Sequence, residues 1–319
     1  MAKEDRSAVR ILPQVQQALD AGKPVVAIES SVLAQGLPAP ENAEAAQRMT
    51  AAVERAGATP AITAVAQGEA TLGLHPAELE RFLSRQAVRK VSARDLGAAI
   101  AQHADGATTV AAALALANRA GVRVLATGGI GGVHRVAPGG QPNVRDESAD
   151  LLELARTPMI VVCSGAKVIL DLPATWERLD TLGIPVVGFG TSEFPGFYTV
   201  RTGIPLTTRA DSVAEVACIA AAHFGLNRIQ AVLVVQPPPV ATALEAEAVE
   251  RAVAIGLAEA ARQGVWGGDV TPYLLAAVSR ETGGKSLAAN LALLESNARL
   301  AAEIAVSFSV VFQSRRVGR

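Results

Sequence analysis

Short apolar runs alternate along the chain with longer segments in which apolar residues recur every three or four positions. Such runs, bounded by Gly or Pro, are typical of strands buried on both faces of a parallel sheet. We predict strands at residues 25–28, 61–66, 71–74, 88–92, 122–126, 159–163, 185–189 and 231–235. We predict helices at residues 9–21, 41–56, 76–84, 110–121, 146–155, 173–182, 212–224, 244–263, 271–281 and 286–306.

This alternation predicts an α/β fold, as a single three-layer α/β/α domain with a largely parallel mixed central sheet. No internal repeat or long linker divides the chain, so the domain is expected to span residues 1–319, with an ordered core at about 9–310. Residues 35–40 are predicted to form a rigid loop, and residues 315–319 a frayed tail.

Composition narrows the classes of function. The net charge is −1, only 3% of residues are aromatic and no basic stripe is present, which argues against nucleic-acid binding. The charged N-terminus and the absence of a long apolar stretch predict neither signal peptide nor membrane span, and hence a cytoplasmic protein. Cys163 and Cys218 both lie in apolar patterns and are predicted to be small core residues.

The strand at 159–163 leads through three small residues to Lys167. Ligands of open α/β sheets bind at the carboxyl ends of the strands, so Lys167 is a candidate phosphate contact or Schiff-base nucleophile. An ordinary surface lysine is the alternative. Glu29 follows the strand at 25–28 in the same way, and an apolar setting favours the protonated form that a general acid needs. Capping or a salt bridge is its alternative role.

The segment 127–135 contains four glycines and ends in His134 and Arg135. It lacks the spacing of a dinucleotide fingerprint and the Lys of a P-loop, but it can bring backbone N–H groups close to a ligand. His134 is a candidate acid or base, and Arg135 a candidate anion contact. Lys90, next to Arg89, is a candidate phosphate contact, although a solvated strand edge is the commoner explanation.

Two further segments are polar. Thr108 or Thr109 can cap a helix whose N-terminus can bind an anion. Asp146, Ser148 and Asp150 could hold one hard cation, but their spacing favours an ordinary acidic first turn with its cap. The Gly-Gly-Lys-Ser in segment 282–290 lacks the upstream Gly at the spacing of a P-loop and lacks a preceding strand, which excludes a P-loop there. Asn290 and Asn297 are not expected to share one helix face cleanly.

In sequence order, these motifs resemble a known family. They are Ile28-Glu29-Ser30-Ser31, Val91-Ser92-Ala93-Arg94-Asp95, Gly106 to Ala111, Thr127 to Arg135, Ser148 to Pro158, Cys163-Ser164-Gly165-Ala166-Lys167 and Thr282 to Asn290. Together they resemble pseudouridine-5′-phosphate glycosidase, whose family also contains the indigoidine synthase A-like proteins. The resemblance extends over about residues 24–306.

The resemblance implies a homotrimeric enzyme that reversibly cleaves pseudouridine 5′-phosphate to uracil and ribose 5-phosphate, with a divalent metal such as Mn²⁺. It implies that Lys167 is the nucleophile, Glu29 the proton donor and Asp146 the metal ligand. The substrate-binding positions that it implies are Lys90, Val110, His134, Ser148, Ala149, Asp150 and Asn290.

The chain departs from the family pattern at two places. Segment 136–145 is longer and richer in Pro and Gly than expected, which affects the position of Asp146. Gln35 stands where many relatives have His. Three alternatives remain: formation of a C-nucleoside or pigment precursor, binding of a sugar phosphate without turnover, and a Schiff-base aldolase.

Overall fold

The structure, a computed structural model, describes residues 8–135, 146–265 and 270–317. The segment 136–145, predicted to be a Pro/Gly-rich loop, and residues 318–319 of the predicted tail lie outside the described residues. None of the helices within these ranges has both the length and the apolar character that a membrane crossing requires.

Within the described residues, the strands form one mixed sheet. The strands are Arg10–Ile11 (β1), Val25–Ile28 (β2), Thr59–Ala66 (β3), Glu69–Leu72 (β4), Val88–Val91 (β5), Asp105–Thr108 (β6), Val124–Ala126 (β7), Ile160–Cys163 (β8), Val186–Phe189 (β9), Arg209–Ala210 (β10) and Val232–Val235 (β11). Their order is β1-β4-β3-β2-β7-β8-β11-β9-β10, and β6 pairs with both β3 and β5. Apart from β3–β4 and β3–β6, these pairings are parallel.

Helices surround this sheet. They are Pro13–Asp20 (α1), Glu41–Arg55 (α2), Pro76–Leu83 (α3), Leu96–Ala101 (α4), Val110–Arg119 (α5), Ala149–Leu154 (α6), Leu172–Thr181 (α7), Val213–Gly225 (α8), Ala246–Gln263 (α9), Val270–Glu281 (α10) and Lys285–Val317 (α11). The predicted α/β class with a largely parallel mixed sheet is therefore confirmed. A single domain over the whole chain stays a prediction.

The structure differs from the prediction at several short elements. Three strands were not predicted: β1 lies inside the predicted first helix, and β6 and β10 are short and contain few large apolar side chains. They are strands because a neighbouring strand pairs with them, an influence that local sequence does not carry. Residues Val32–Gly36 form one π-helical turn, where the prediction placed a loop from residue 35.

The last helix, α11, is longer than predicted and includes residues 315–317 of the expected tail. No Gly or Pro occurs between its ends, so nothing in its sequence interrupts the helix. It packs against β2, β7 and β8, and between α2 and α8. The helix thus covers the three central strands whose ends carry the candidate chemistry.

Of the two cysteines, Cys163 is fully buried in β8 as predicted, but the prediction for Cys218 is wrong because it is exposed on α8. The buried residues of α8 include Val216, Ala217, Ala220 and Ala221. Cys218 lies outside this stripe and faces away from the core.

Candidate active site

Three neighbouring strands bring the two predicted catalytic residues to one edge of the sheet. β2, β7 and β8 are adjacent and parallel, so their carboxyl ends lie side by side. Glu29 directly follows β2, Thr127 directly follows β7, and Lys167 lies four residues beyond the end of β8. This edge is where open α/β sheets bind their ligands.

A cavity of about 810 Å³ opens at this edge. Nine of the ten predicted site residues line it: Glu29, Lys90, His134, Asp146, Ser148, Ala149, Asp150, Lys167 and Asn290. Val110 is the exception, because its side chain is fully buried in the core. A substrate contact at that position has to come from the backbone at the start of α5, where the neighbouring Thr109 lines the cavity.

Glu29 is held by two hydroxyl groups. Its side chain is only 2% exposed, and its carboxylate accepts hydrogen bonds from Ser31 Oγ, at 2.6 Å, and from Thr127 Oγ1. The described salt bridges do not include Glu29, so a salt-bridge role is not supported within these residues. A hydroxyl can donate to a carboxylate or accept from a carboxylic acid, so this pair suits a group that gives up and regains a proton.

Lys167 is half-buried, and its backbone is hydrogen-bonded to residues 127–135, the glycine segment. Its N–H donates to the carbonyl of Ile130 at 3.0 Å, and the N–H of Ile130 donates to the carbonyl of Gly165 at 3.0 Å. Burial raises the pKa of the nearby Cys163 thiol to about 12, so this thiol stays protonated near neutral pH. Of these two potential nucleophiles, only the amine lines the cavity.

His134 lies among the charged groups of the cavity. Its backbone N–H donates to the carbonyl of Asp146 at 2.9 Å. Burial is the main cause that lowers the pKa of His134 below its ordinary value; the charge of Asp146 opposes this shift, and those of Lys167 and Lys90 add to it. The imidazole is therefore neutral at pH 7 and can accept a proton or a hydrogen bond.

The sequence predicts that the glycine segment brings backbone N–H groups close to a ligand, but two of these groups bond to side chains of the protein itself. The N–H of Gly131 donates to Asp150, and that of Val133 donates to Thr175 Oγ1 at 2.9 Å. These groups are therefore not directed at a ligand. Gly131 is required by close approach, because a Cβ atom there would collide with the side chain of Ser148. The segment shapes the cavity wall through Gly128, Gly129 and Gly131.

Asp150 has a structural role between α5 and the glycine segment. Its carboxylate accepts from the backbone N–H groups of Ala111, at 2.9 Å, and Gly131, at 2.8 Å. It thus occupies the N-terminus of α5, which the sequence suggested as an anion site. Ser148 caps α6, which confirms the favoured interpretation of an acidic first turn with its cap.

Lys90 and Arg135, two predicted anion contacts, lie in different places. Lys90 is exposed and lies at the cavity, whereas Arg89 beside it bonds to Gln102. The prediction that Arg135 contacts an anion in this site is wrong. Its guanidinium pairs with Glu250 and lines a second cavity of about 530 Å³ instead.

Comparison with known proteins identifies the family. Residues 14–307 match the model of indigoidine synthase A like proteins. A pseudouridine-5′-phosphate glycosidase from Gemmatimonas aurantiaca is 58% identical over 298 residues, which cover 93% of this chain and 95% of that relative. The chain belongs to the indigoidine synthase A-like family.

Other proteins similar to this member of the indigoidine synthase A-like family agree with it in sequence and fold. A pseudouridine-5′-phosphate glycosidase from Chloroflexus aurantiacus is 50% identical, over 94% of this chain and 99% of that relative. The prealnumycin C-glycosynthase AlnA, solved in complex with ribulose 5-phosphate, superposes with a TM-score of 0.88 at 39% identity, over 96% of this chain and 99% of that one. An indigoidine synthase A-like protein from Thermotoga maritima has a TM-score of 0.85 at 34% identity, over 97% and 99% of the two chains.

This family member has no closed metal cage in residues 8–135, 146–265 and 270–317, where no three His, Cys, Asp or Glu side chains are grouped to hold an ion. Apart from Asp146, each carboxylate that lines the cavity has a described hydrogen-bond partner. These carboxylates are Glu29, Asp95, Glu147, Asp150 and Glu153. The described hydrogen bond of Asp146 uses its backbone carbonyl. These residues fit an ion held by one carboxylate and otherwise by water.

Three residues that support the site were not assigned roles from the sequence. Thr127 bonds Glu29, Phe197 lines the cavity above Gly129, and Asn297 of α11 bonds the backbone after β7. The position of Thr127 at a strand end is a usable signal. Phe197 belongs to the aromatic cluster at residues 191–198, which by sequence could close over a planar ligand or simply pack in a loop. Asn297 reaches the site through chain folding, which leaves no local signal.

Proposed function

We propose that this chain is an enzyme that reversibly cleaves the C–C glycosidic bond of pseudouridine 5′-phosphate, with water, to give uracil and ribose 5-phosphate. The observation that supports this most directly is that Glu29 and Lys167, from neighbouring strand ends, line one cavity together with His134, Lys90 and Asn290. The names of the relatives at 58% and 50% identity agree with it.

The chemistry differs from that of an O-glycosidase because the leaving base departs through carbon. Glu29 donates its proton to the ring oxygen as the C1′–O4′ bond breaks. The neutral amine of Lys167 forms a bond to C1′ of the opened sugar. The nitrogen, now positively charged, loses a proton, for which neutral His134 is the candidate acceptor. Its lone pair then forms the C1′=N double bond while the C1′–C5 bond breaks and C5 of uracil takes up a proton.

Uracil then leaves, and water hydrolyses the iminium to release ribose 5-phosphate and Lys167. The neutral form of His134, beside Lys167, can accept a proton during these steps. Lys90, which lies at the cavity, would bind the phosphate. Asp146 would hold Mn²⁺ together with water molecules, and the ion would supply positive charge beside the substrate.

The direct test is incubation with pseudouridine 5′-phosphate and Mn²⁺, with uracil release followed by absorbance and a parallel sample reduced with borohydride. Uracil release and a ribose-phosphate adduct on Lys167, found by mass spectrometry, would support reaction and nucleophile together. A folded protein that gives neither product would overturn the proposal.

A second candidate is formation of a C-glycoside in biosynthesis. It is favoured by the similarity to the prealnumycin C-glycosynthase, which was solved with ribulose 5-phosphate. Incubating ribose 5-phosphate with a panel of aromatic acceptors distinguishes the two, because a biosynthetic enzyme would couple an acceptor other than uracil faster. Binding of ribose 5-phosphate without turnover would instead indicate a sugar-phosphate-binding protein, and aldehyde products without uracil a Schiff-base aldolase.

We propose that the chain is a homotrimer that acts on small molecules, as the family resemblance implies. We also propose that it is cytoplasmic and does not bind nucleic acid, as composition and the N-terminal sequence predict. Light scattering coupled to gel filtration tests the oligomeric state. A mass of one or two chains would contradict a trimer. Activity after chelation and re-addition of single metals tests the preference for Mn²⁺.

A further inference from the structure

Arg135 directs its guanidinium away from the cavity that contains Lys167, although it adjoins His134. Its Nη1 and Nη2 atoms donate to the two carboxylate oxygens of Glu250 on α9, at 2.6 and 2.8 Å. Its Nε donates to the carbonyl of Leu170 at 3.0 Å, and Nη2 also lies 3.3 Å from the carbonyl of Val168. The side chain of Arg135 is only 23% exposed.

These two carbonyls belong to the three residues that directly follow Lys167. The same short segment is held at other points as well. The N–H of Asp171 donates to the carbonyl of Val133 at 2.9 Å, and the N–H of Leu170 donates to the carbonyl of Lys167 at 3.0 Å. The backbone on the carboxyl side of Lys167 is therefore attached to the glycine segment by main-chain bonds and to α9 through one guanidinium.

A guanidinium suits this task because its donors are fixed in one plane. Arg135 can bond two carbonyls and a bidentate carboxylate at the same time, which the single ammonium group of a lysine cannot do in that geometry. Glu250 fixes the orientation of this guanidinium. Helix α9 in turn packs on α10, which contributes Thr271, Pro272 and Leu275 to the cavity.

We propose that Arg135 is a positioning residue for Lys167, and that Glu250 orients Arg135 in this role. The pair holds the segment after Lys167 so that the amine keeps the direction needed to attack C1′. Both residues line the second cavity and not the one that contains Lys167. This inference rests on the proposed function, in which Lys167 is the nucleophile.

The chain offers a matched control on α9. Glu250→Gln weakens the contact to Arg135, and Glu259→Gln makes the same change at a carboxylate that pairs with Arg280 at 2.6 Å, remote in sequence from Lys167. Arg135→Lys and Arg135→Ala complete the set. For each protein we would measure kcat and KM for pseudouridine 5′-phosphate, and the rate at which ribose 5-phosphate with borohydride labels Lys167.

A misdirected nucleophile slows the bond-forming step, and a displacement of about 1 Å can cost about 100-fold. We expect Arg135→Lys to lower kcat and the labelling rate by about 10- to 100-fold with little change in KM. Glu250→Gln should show a smaller loss of the same kind, and Glu259→Gln none. Dilute guanidinium chloride, but not sodium chloride, should partly restore Arg135→Ala, which simple loss of stability would not allow.

The outcomes separate the two proposals. If the wild type releases uracil while Arg135→Lys and Glu250→Gln match it in kcat and labelling rate, the positioning role is overturned and the proposed function stands. Equal losses in Glu250→Gln and Glu259→Gln also overturn it, because any change on α9 would then suffice. If the wild type neither releases uracil nor becomes labelled, the proposed function fails and the positioning role fails with it.

Discussion

The side-chain amide nitrogen of Asn297 donates to the backbone carbonyl of Thr127 at 2.9 Å, and the hydroxyl of Thr127 donates in turn to Glu29. The amide oxygen of Asn297 accepts from Gln236 Nε2 at 2.8 Å and from Ser164 Oγ at 3.3 Å. One fully buried side chain on α11 thus connects residues at the ends of β7, β8 and β11. Both the segment that leads to Lys167 and the hydroxyl that holds Glu29 depend on it.

Asn297→Ala is expected to destabilise the protein by about 2–4 kcal/mol, because buried donors and acceptors lose their partner. Urea unfolding followed by circular dichroism measures this difference. Asn290→Ala is the control, since it lies two turns earlier on the same helix but lines the cavity. We expect Asn290→Ala to reduce activity more than stability. Equal stability losses in both variants would contradict a connecting role for Asn297.

Lys167→Ala is expected to abolish turnover and leave the fold intact, because the side chain lines the cavity and its described hydrogen bonds are made by the backbone. Lys167→Arg keeps the positive charge but lacks the amine that forms an imine. Borohydride trapping should give no adduct with either variant. Normal uracil release by Lys167→Arg would show that charge alone suffices and would exclude the covalent route.

Glu29→Gln is expected to lower kcat by about 100-fold or more, the usual scale for loss of a general acid, while substrate still binds. The amide keeps the shape of the side chain and can still bond Ser31 and Thr127, so the fold should be preserved. Glu29→Ala should lower kcat at least as much. Steady-state kinetics of both variants are the measurement, and an unchanged kcat would remove Glu29 from the proton-donor role.

Much of the fold and of the site could be predicted because the information is local. The buried strands β2, β8 and β11 are unbroken apolar runs, and the polar residues that follow a parallel strand must meet at one sheet edge. Glu29 and Lys167 were found in this way. Lys90, His134 and Asp146 were candidates from their local sequence, and the family resemblance added Asn290. All four line the same cavity.

What could not be predicted depends on contacts between distant parts of the chain. The guanidinium of Arg135 contacts Glu250, 115 residues later, instead of the site beside His134, and the sequence does not indicate this contact. Asn290 and Asn297 were not expected to share a face, yet both are buried, because seven residues are close to two full helical turns. β6 becomes a strand only through its pairing with β3 and β5.

Acid should weaken the protein partly through Asp105, which lies in β6, beside the strand that carries Lys90. Hydrogen bonds from Arg81, at 2.5 and 3.0 Å, are the main cause that lowers the pKa of Asp105 below its ordinary value; burial opposes the shift. The folded carboxyl therefore keeps its charge to lower pH than the unfolded one. The contribution of Asp105 to the free energy of unfolding is complete above the ordinary aspartate pKa of about 4 and is lost as the pH falls through the pKa of the folded state.

Urea midpoints measured across this acidic range should fall less steeply for Asp105→Asn than for the wild type. Asp211→Asn, which removes an exposed pair with Arg209, is the control, and a slope for Asp105→Asn equal to that of the wild type would refute the assignment.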